Sequence, residues 1–166
     1  MAHFDSVTTL PNRNLLADRL EEAIKRSHRG HHKFALLYVD LNKFKPINDE
    51  LGHDAGDKAL LFVAGQMKDC VRETDTVARV GGDEFVVLLE NVPDLDSVKQ
   101  VAEKLLGKIA EPIEFSSGPR SLGAAMGIAL HPEHGETRDE LMTSADKAMY
   151  AAKETGESCF RISVQS

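Results

Sequence analysis

Two acids, Asp83 and Glu84, stand directly after the pair Gly81-Gly82 and directly before the apolar run Phe85–Leu89. The flanking runs, Thr76–Val80 and Glu84–Leu89, are rich in β-branched and apolar residues, so the glycine pair reads as the tip of a hairpin. A tight primed turn there needs positive φ, which glycine adopts at little steric cost. Carboxylates at the mouth of a rigid hairpin can hold a metal; taken alone, the plainer reading is a solvated tip with incidental acids. A third acid, Asp40, ends the all-apolar run Phe34–Val39, which reads as a central buried strand. If the two strands are neighbours, Asp40 and Asp83 project from the same sheet edge. Such a pair, completed by phosphate oxygens and water, is how magnesium is usually held, with hard oxygen ligands and few of them from protein. Metals between carboxylates suit in-line attack of an oxygen nucleophile on phosphorus. No G-x-x-x-x-G-K-[ST] loop is present, which argues against a P-loop nucleotidase.

The elements that must position these acids can be read from periodicity. Leu15, Leu16, Leu20, Ala23 and Ile24 recur at helical spacing, which predicts an amphipathic helix from Asn12 to about His28. Phe44, Ile47 and Leu51 predict a short helix broken at Gly52, with Pro46 tolerated in its first turn. Leu60, Val63, Ala64, Met67 and Val71 mark a second helix, and Val98, Val101, Ala102, Leu105 and Ile109 a third over Asp94–Ile109. Ser116-Ser117-Gly118-Pro119 reads as a turn between a short strand near Ile113–Phe115 and a small-residue strand, Leu122–Leu130. Thr137 and Glu140 form a capping box that opens a helix through Leu141, Met142, Ala145, Met149 and Ala152, with Gly156 as its stop. Cys159–Val164 reads as an edge strand. Alternating strands and helices with one hairpin predict a mixed sheet covered by helices, an α/β layer architecture.

At 166 residues the chain is most simply one domain with a real core. A formal net charge of −7 argues against a nucleic-acid partner, which wants a basic face, but leaves room for a small anionic ligand accompanied by a cation. Cys70 and Cys159 lie in no metal or redox spacing, so a reducing, cytoplasmic setting is expected. The apolar runs fall short of the roughly 20 residues of a membrane span, so no membrane contact is expected from this segment.

Gly81-Gly82-Asp83-Glu84-Phe85 resembles the signature for which the GGDEF family of diguanylate cyclases is named, and the text around it agrees over about residues 5–157. Leu10-Pro11-Asn12-Arg13 is similar to the family's opening motif, and the stretch from Asp40 to Asp49 to its first-strand metal motif. Leu51-Gly52-His53-Asp54-Ala55-Gly56-Asp57 resembles its substrate loop, and Ala145–Lys153 its final helix. The resemblance implies a nucleotidyl-cyclase-like, ferredoxin-related α/β (α+β) fold. Its central mixed or antiparallel sheet would have about five strands, with helices around it and a hairpin carrying the motif. It implies condensation of two GTP into cyclic di-GMP with release of pyrophosphate, with Mg²⁺ (or Mn²⁺) as cofactor and a homodimer as the competent state. By position, Asp40, the Leu41 carbonyl and Asp83 would hold the metal. Glu84 would add a metal contact or help deprotonate the attacking 3′-hydroxyl. Asn48 and Asp57 would read guanine, Lys45 and Lys153 would meet phosphates, and Phe44, His53 and Gly82 would line the substrate site. Arg72 and Asp75 match the spacing of the family's inhibitory product site, where an arginine fork can pair with a guanine edge or a phosphate.

The chain departs from the family pattern at three places. Thr9 stands where a glycine is usual, and Ala125 where a serine is common. Glu157 stands where an arginine that resembles a phosphate contact is usual, and an acid there would repel a triphosphate. The alternative reading is therefore a weakly active or inactive module that binds GTP or cyclic di-GMP and regulates a fused domain such as an EAL phosphodiesterase. A cyclase making mixed purine dinucleotides is disfavoured by Asp57. The motifs begin almost at the N-terminus, as in a single GGDEF domain (1–166) excised from a longer signalling protein. His28, His31, His32, His131 and His134 read as solvated surface, and Met126, Met142 and Met149 as core filler.

Overall fold

The computed structural model describes residues 2–164. The first helix, α1 (Arg13–Gly30), is opened by Asn12, whose side chain accepts from Leu15 N–H, and leads into strand β1 (Lys33–Asn42). Two helices follow, α2 (Phe44–Leu51) and α3 (His53–Asp69), meeting at Gly52, whose φ of 95° no side chain adopts comfortably. The hairpin is β2 (Thr76–Arg79) and β3 (Glu84–Val92). Helix α4 (Leu95–Ile109) is followed by β4 (Ile113–Phe115), β5 (Gly118–Arg120), β6 (Gly123–His131), α5 (Arg138–Glu154) and β7 (Cys159–Ile162).

The main sheet has five strands in the order β2-β3-β1-β6-β7, antiparallel except for the parallel edge pair β6–β7. β1 is its centre, and its continuous apolar run is explained by burial on both faces. Ala35, Leu37, Val39 and Leu41 pack with Ile47, Val63, Met67, Val98 and Leu105 of α2, α3 and α4. Phe34, Leu36 and Tyr38 pack with Leu16, Leu20, Leu141, Ala145 and Met149 of α1 and α5. The expected mixed sheet between helices is therefore the observed fold. Helix α5 comes unusually close to β6 at Gly127, where an added Cβ would lie 2.0 Å from the Ala145 carbonyl oxygen. That absent side chain lets the middle of α5, from Ala145 to Met149, lie directly on β6.

Three expectations are corrected. Asp40 does not end its strand: its backbone is paired with Glu84 on one side and Ala125 on the other, and β1 runs on to Asn42. Gly118-Pro119 is not merely turn, because Gly118–Arg120 pairs with Ile113–Phe115 as a separate two-stranded ribbon, too short to leave a periodic signal. His131 is not solvated; it is 2% exposed, stacked on Phe34 at 4.6 Å between ring centroids. Burial, aided by His28, lowers its pKa against the opposing pull of Glu136 and Glu133. Met126 and Met149 are buried as expected.

Candidate active site

The β1–β3 ladder brings the acids together. Asp40 lies directly opposite Glu84, and Leu41 N–H donates to the Asp83 carbonyl at 3.0 Å, so Asp40, Leu41, Asp83 and Glu84 share one end of neighbouring strands. From the last turn of α5, Lys153 Nζ reaches Asp40 Oδ2 at 2.9 Å. The other oxygen, Asp40 Oδ1, is buried and has no hydrogen-bond partner among the described residues. Ala125, fully buried on β6 and paired directly with Asp40, offers it no side-chain donor. Tyr38, two residues before Asp40 on the same face, donates its hydroxyl to Glu84 Oε1 at 3.1 Å.

The loop between β2 and β3 differs from the tight primed turn expected. Neither Gly81 nor Gly82 has a positive φ. The loop is wider, with Val80 N–H and Gly81 N–H both donating to the Glu84 carbonyl, at 2.9 and 3.3 Å. It is held from behind by Arg79, whose guanidinium donates to the Gly81 carbonyl at 3.1 Å and the Gly82 carbonyl at 2.8 Å. Arg79 is itself fixed by an ion pair with Asp5 at 3.0 Å, and Arg13 donates to the Val80 carbonyl at 3.2 Å. The Arg79–Asp5 and Arg13–Val80 supports join residues 74 and 67 positions apart, and nothing in the sequence signals them. The space around a Cβ at Gly82 is open.

Burial pushes the Asp83 carboxyl above the ordinary aspartate range, and the like charges of Asp40 and Glu84 push the same way. Its own backbone N–H and Lys153 oppose the rise. Asp5 moves oppositely: burial raises it, but hydrogen bonds from Thr8 and the Arg79 guanidinium win and hold it low. Two crowded carboxylates and an orphaned buried oxygen fit a hard divalent cation such as Mg²⁺ or Mn²⁺. No three His, Cys, Asp or Glu side chains among the described residues form a ready-made cage.

Asn48 on α2 and Asp57 on α3 are brought near each other by the break at Gly52. The Asn48 carboxamide lies against Gly56, the residue just before Asp57, and the Phe44 ring lies beside it. Lys45, His53 and Asp57 are exposed, and Phe44 is half-buried against the core. Arg72 and Asp75 are at the other end of the hairpin, since Asp75 precedes Thr76, which pairs with Leu88, whereas the glycine loop follows Arg79. Arg72 clamps Asp75 at 3.1–3.2 Å and also donates to the Glu90 carbonyl, while Asp75, buried, accepts from Arg72 N–H and Glu90 N–H. A cavity of about 490 Å³ beside them is lined by Phe4, Arg19, Lys68, Val71, Arg72 and Asp75 among others. Glu157 is exposed, and its carbonyl accepts from Asn42 Nδ2 at 3.4 Å, which ties the loop after α5 to the end of β1. Thr9 adopts a left-handed φ of 61°, a conformation that glycine takes at less steric cost than a β-branched residue.

A family model described as "Diguanylate cyclase, GGDEF domain" matches residues 2–159. The bifunctional diguanylate cyclase/cyclic di-GMP phosphodiesterase MucR of Pseudomonas aeruginosa is 47% identical over 162 residues, covering 96% of this chain and 24% of MucR. The diguanylate cyclase TpbB of the same organism is 42% identical over 153 residues, covering 92% of this chain and 35% of TpbB. The chain thus spans about a quarter to a third of the length of these curated relatives. The solved GGDEF domain of TpbB superposes with a TM-score of 0.94 at 39% identity, covering 98% of this chain and 95% of that one. The GGDEF domain of DgcB from Caulobacter crescentus, solved in complex with c-di-GMP, gives 0.87 at 26% identity, with 98% and 93% covered. A match across nearly the whole chain, on a sheet that gathers the motif's acids at one strand end, places this chain in the GGDEF family.

Proposed function

We propose that this chain is the catalytic domain of a diguanylate cyclase that condenses two GTP into cyclic di-GMP and pyrophosphate. The observation that carries the reading is the orphaned Asp40 Oδ1 beside the crowded Asp83 carboxyl, with Lys153 close over them. Asp40, the Leu41 carbonyl and Asp83 would hold Mg²⁺ or Mn²⁺. When bound, the cation neutralises triphosphate charge and polarises the reacting phosphorus centre. The 3′-oxygen of one GTP bonds to the α-phosphorus of the other, the bond to pyrophosphate breaks, and the hydroxyl proton leaves to Glu84 or to water. The same step, repeated with roles exchanged, closes the ring. Tyr38 keeps the Glu84 carboxylate in place for this role. Lys153 and Lys45 meet the phosphates, and the open space at Gly82 lets a phosphate chain approach the loop. Asn48 and Asp57 read the guanine: a carboxylate accepts from N1–H and the amino group, and an amide serves the other edge. Phe44 and His53 line the base end. Positioning and charge stabilisation then do most of the catalytic work.

Each protomer holds one GTP, so the competent state is a homodimer with two sites facing each other. Arg72 and Asp75, with the adjoining cavity, form an inhibitory site for cyclic di-GMP. The relatives' length supports the chain's working as one domain of a longer signalling protein. A second reading, a GTP- or cyclic di-GMP-binding module with little turnover, is favoured by Glu157 alone. The test incubates the domain, tethered as a dimer, with Mg²⁺ and GTP. Cyclic di-GMP that disappears in Asp83→Ala supports the enzyme; tight GTP binding without product in the tethered dimer supports the module.

A further inference from the structure

Glycine is a poor helix former, so a buried glycine inside a helix with ordinary φ asks for a reason other than backbone freedom. Gly56 is such a residue in α3. A Cβ built there would lie 2.2 Å from Asn48 Oδ1, 3.0 Å from Asn48 Cγ and 3.5 Å from the tip of the Phe44 ring. Gly65 in the same helix and Gly107 in α4 have open space at the same point, so the crowding is particular to this position. The Asn48 carboxamide therefore occupies the volume that a side chain at Gly56 would fill, one residue from Asp57.

We propose that Gly56 is a positioning residue for guanine recognition, its missing side chain forming the seat that holds the Asn48 carboxamide beside Asp57. The inference rests on the reading of Asn48 as a guanine contact. Its physical content is that a single methyl group at Gly56 moves Asn48. The clashing atom is the end of a flexible side chain, not backbone, so the carboxamide swings away and the helix pair stays packed. Alanine also favours the helix. The fold tolerates the change, and the base pocket does not.

The experiment measures binding of GTP and of ATP, each with Mg²⁺, by calorimetry on the whole chain, together with Tm. ATP shares the triphosphate but not guanine's hydrogen-bonding edge. Gly56→Ala is expected to weaken GTP about tenfold, the effect of one lost hydrogen bond to the base, with ATP binding and Tm held. Asn48→Ala should give a similar loss, and adding Gly56→Ala to it should cost nothing more, because the seat then has no occupant. Equal weakening of GTP and ATP with a lowered Tm overturns the proposal, since Gly56 is then only structural. Wild-type GTP affinity in Gly56→Ala, when Asn48→Ala is impaired, overturns it and leaves the guanine contact standing. Unchanged GTP affinity in Asn48→Ala removes the guanine contact itself, and the proposal with it. A Gly56→Ala chain that fails to fold even with Asn48→Ala also overturns it, because the clashing atom is gone.

Discussion

If Asp40 and Asp83 are arranged to share a cation, they should repel each other without one. Asp83→Asn tests this with little change of shape. Burial and the neighbouring Asp40 and Glu84 charges raise the Asp83 pKa, so its ionised form works against folding at neutral pH. Each unit of such a shift corresponds to about 1.4 kcal/mol; solvent screening of this half-exposed group reduces the expected gain to roughly 0.5–1 kcal/mol. For a chain of this size that is a Tm rise of about 1–4 °C in EDTA. The pH dependence has a definite sign. A raised folded pKa means that the native state binds more protons, so Asp83's contribution is fully present below the unfolded pKa and is lost as pH rises through the folded one. The advantage of Asp83→Asn is therefore largest near neutrality and shrinks in acid. In the wild type, Mg²⁺ at 100 times its dissociation constant adds about 2.7 kcal/mol, and the variant should lose nearly all of that. Thermal unfolding in EDTA and in titrated Mg²⁺ reads both effects. A variant that is no more stable than wild type in EDTA, or that still gains from Mg²⁺, refutes the shared-cation argument.

Three further outcomes are expected. Thr9 holds a β-branched side chain at a φ of 61°, so Thr9→Gly should stabilise the domain by about 0.5–1 kcal/mol after glycine's greater unfolded-state entropy is counted. An unchanged or lower urea midpoint contradicts this. Glu157→Arg should lower KM for GTP by about 1 kcal/mol of interaction, several-fold, with a loss of effect at high salt; a salt-independent or absent change removes Glu157 from the phosphate site. Arg72→Ala should abolish high-affinity cyclic di-GMP binding by calorimetry while the domain stays folded. Its stability cost should be about 1 kcal/mol, because Asp75 keeps the Arg72 and Glu90 backbone donors.

The fold was legible where burial imposes a period. The run Phe34–Val39 marks a strand covered on both faces, and the stripes of α1, α3, α4 and α5 and the capping box at Thr137 follow from simple spacing. The acids were legible because Asp40 and Asp83 border apolar runs, and antiparallel pairing then sets Asp40 opposite Glu84 and Leu41 against Asp83. What could not be read is what holds them. The loop was expected to rest on glycine's φ, but it rests on Arg79 collecting two carbonyls, and on Asp5 holding Arg79 from 74 positions away. Tyr38 could have been noticed, since it shares a strand face with Asp40, but an aromatic in a core strand announces packing, not a hydrogen bond to Glu84. Gly56 and Gly127 likewise matter for contacts that spacing does not reveal. The burial of His131 follows from where β6 ends, beside Phe34 and Ser27, which local polarity at Pro132–Glu133 disguises.

Crystals grown with Mn²⁺ and a slowly reacting GTP analogue give the most direct measurement. An anomalous difference peak within bonding distance of Asp40 Oδ1, the Leu41 carbonyl and Asp83, with phosphate oxygens completing its shell, is the expected result. A peak away from these groups, or triphosphate bound with no peak between Asp40 and Asp83, contradicts the account.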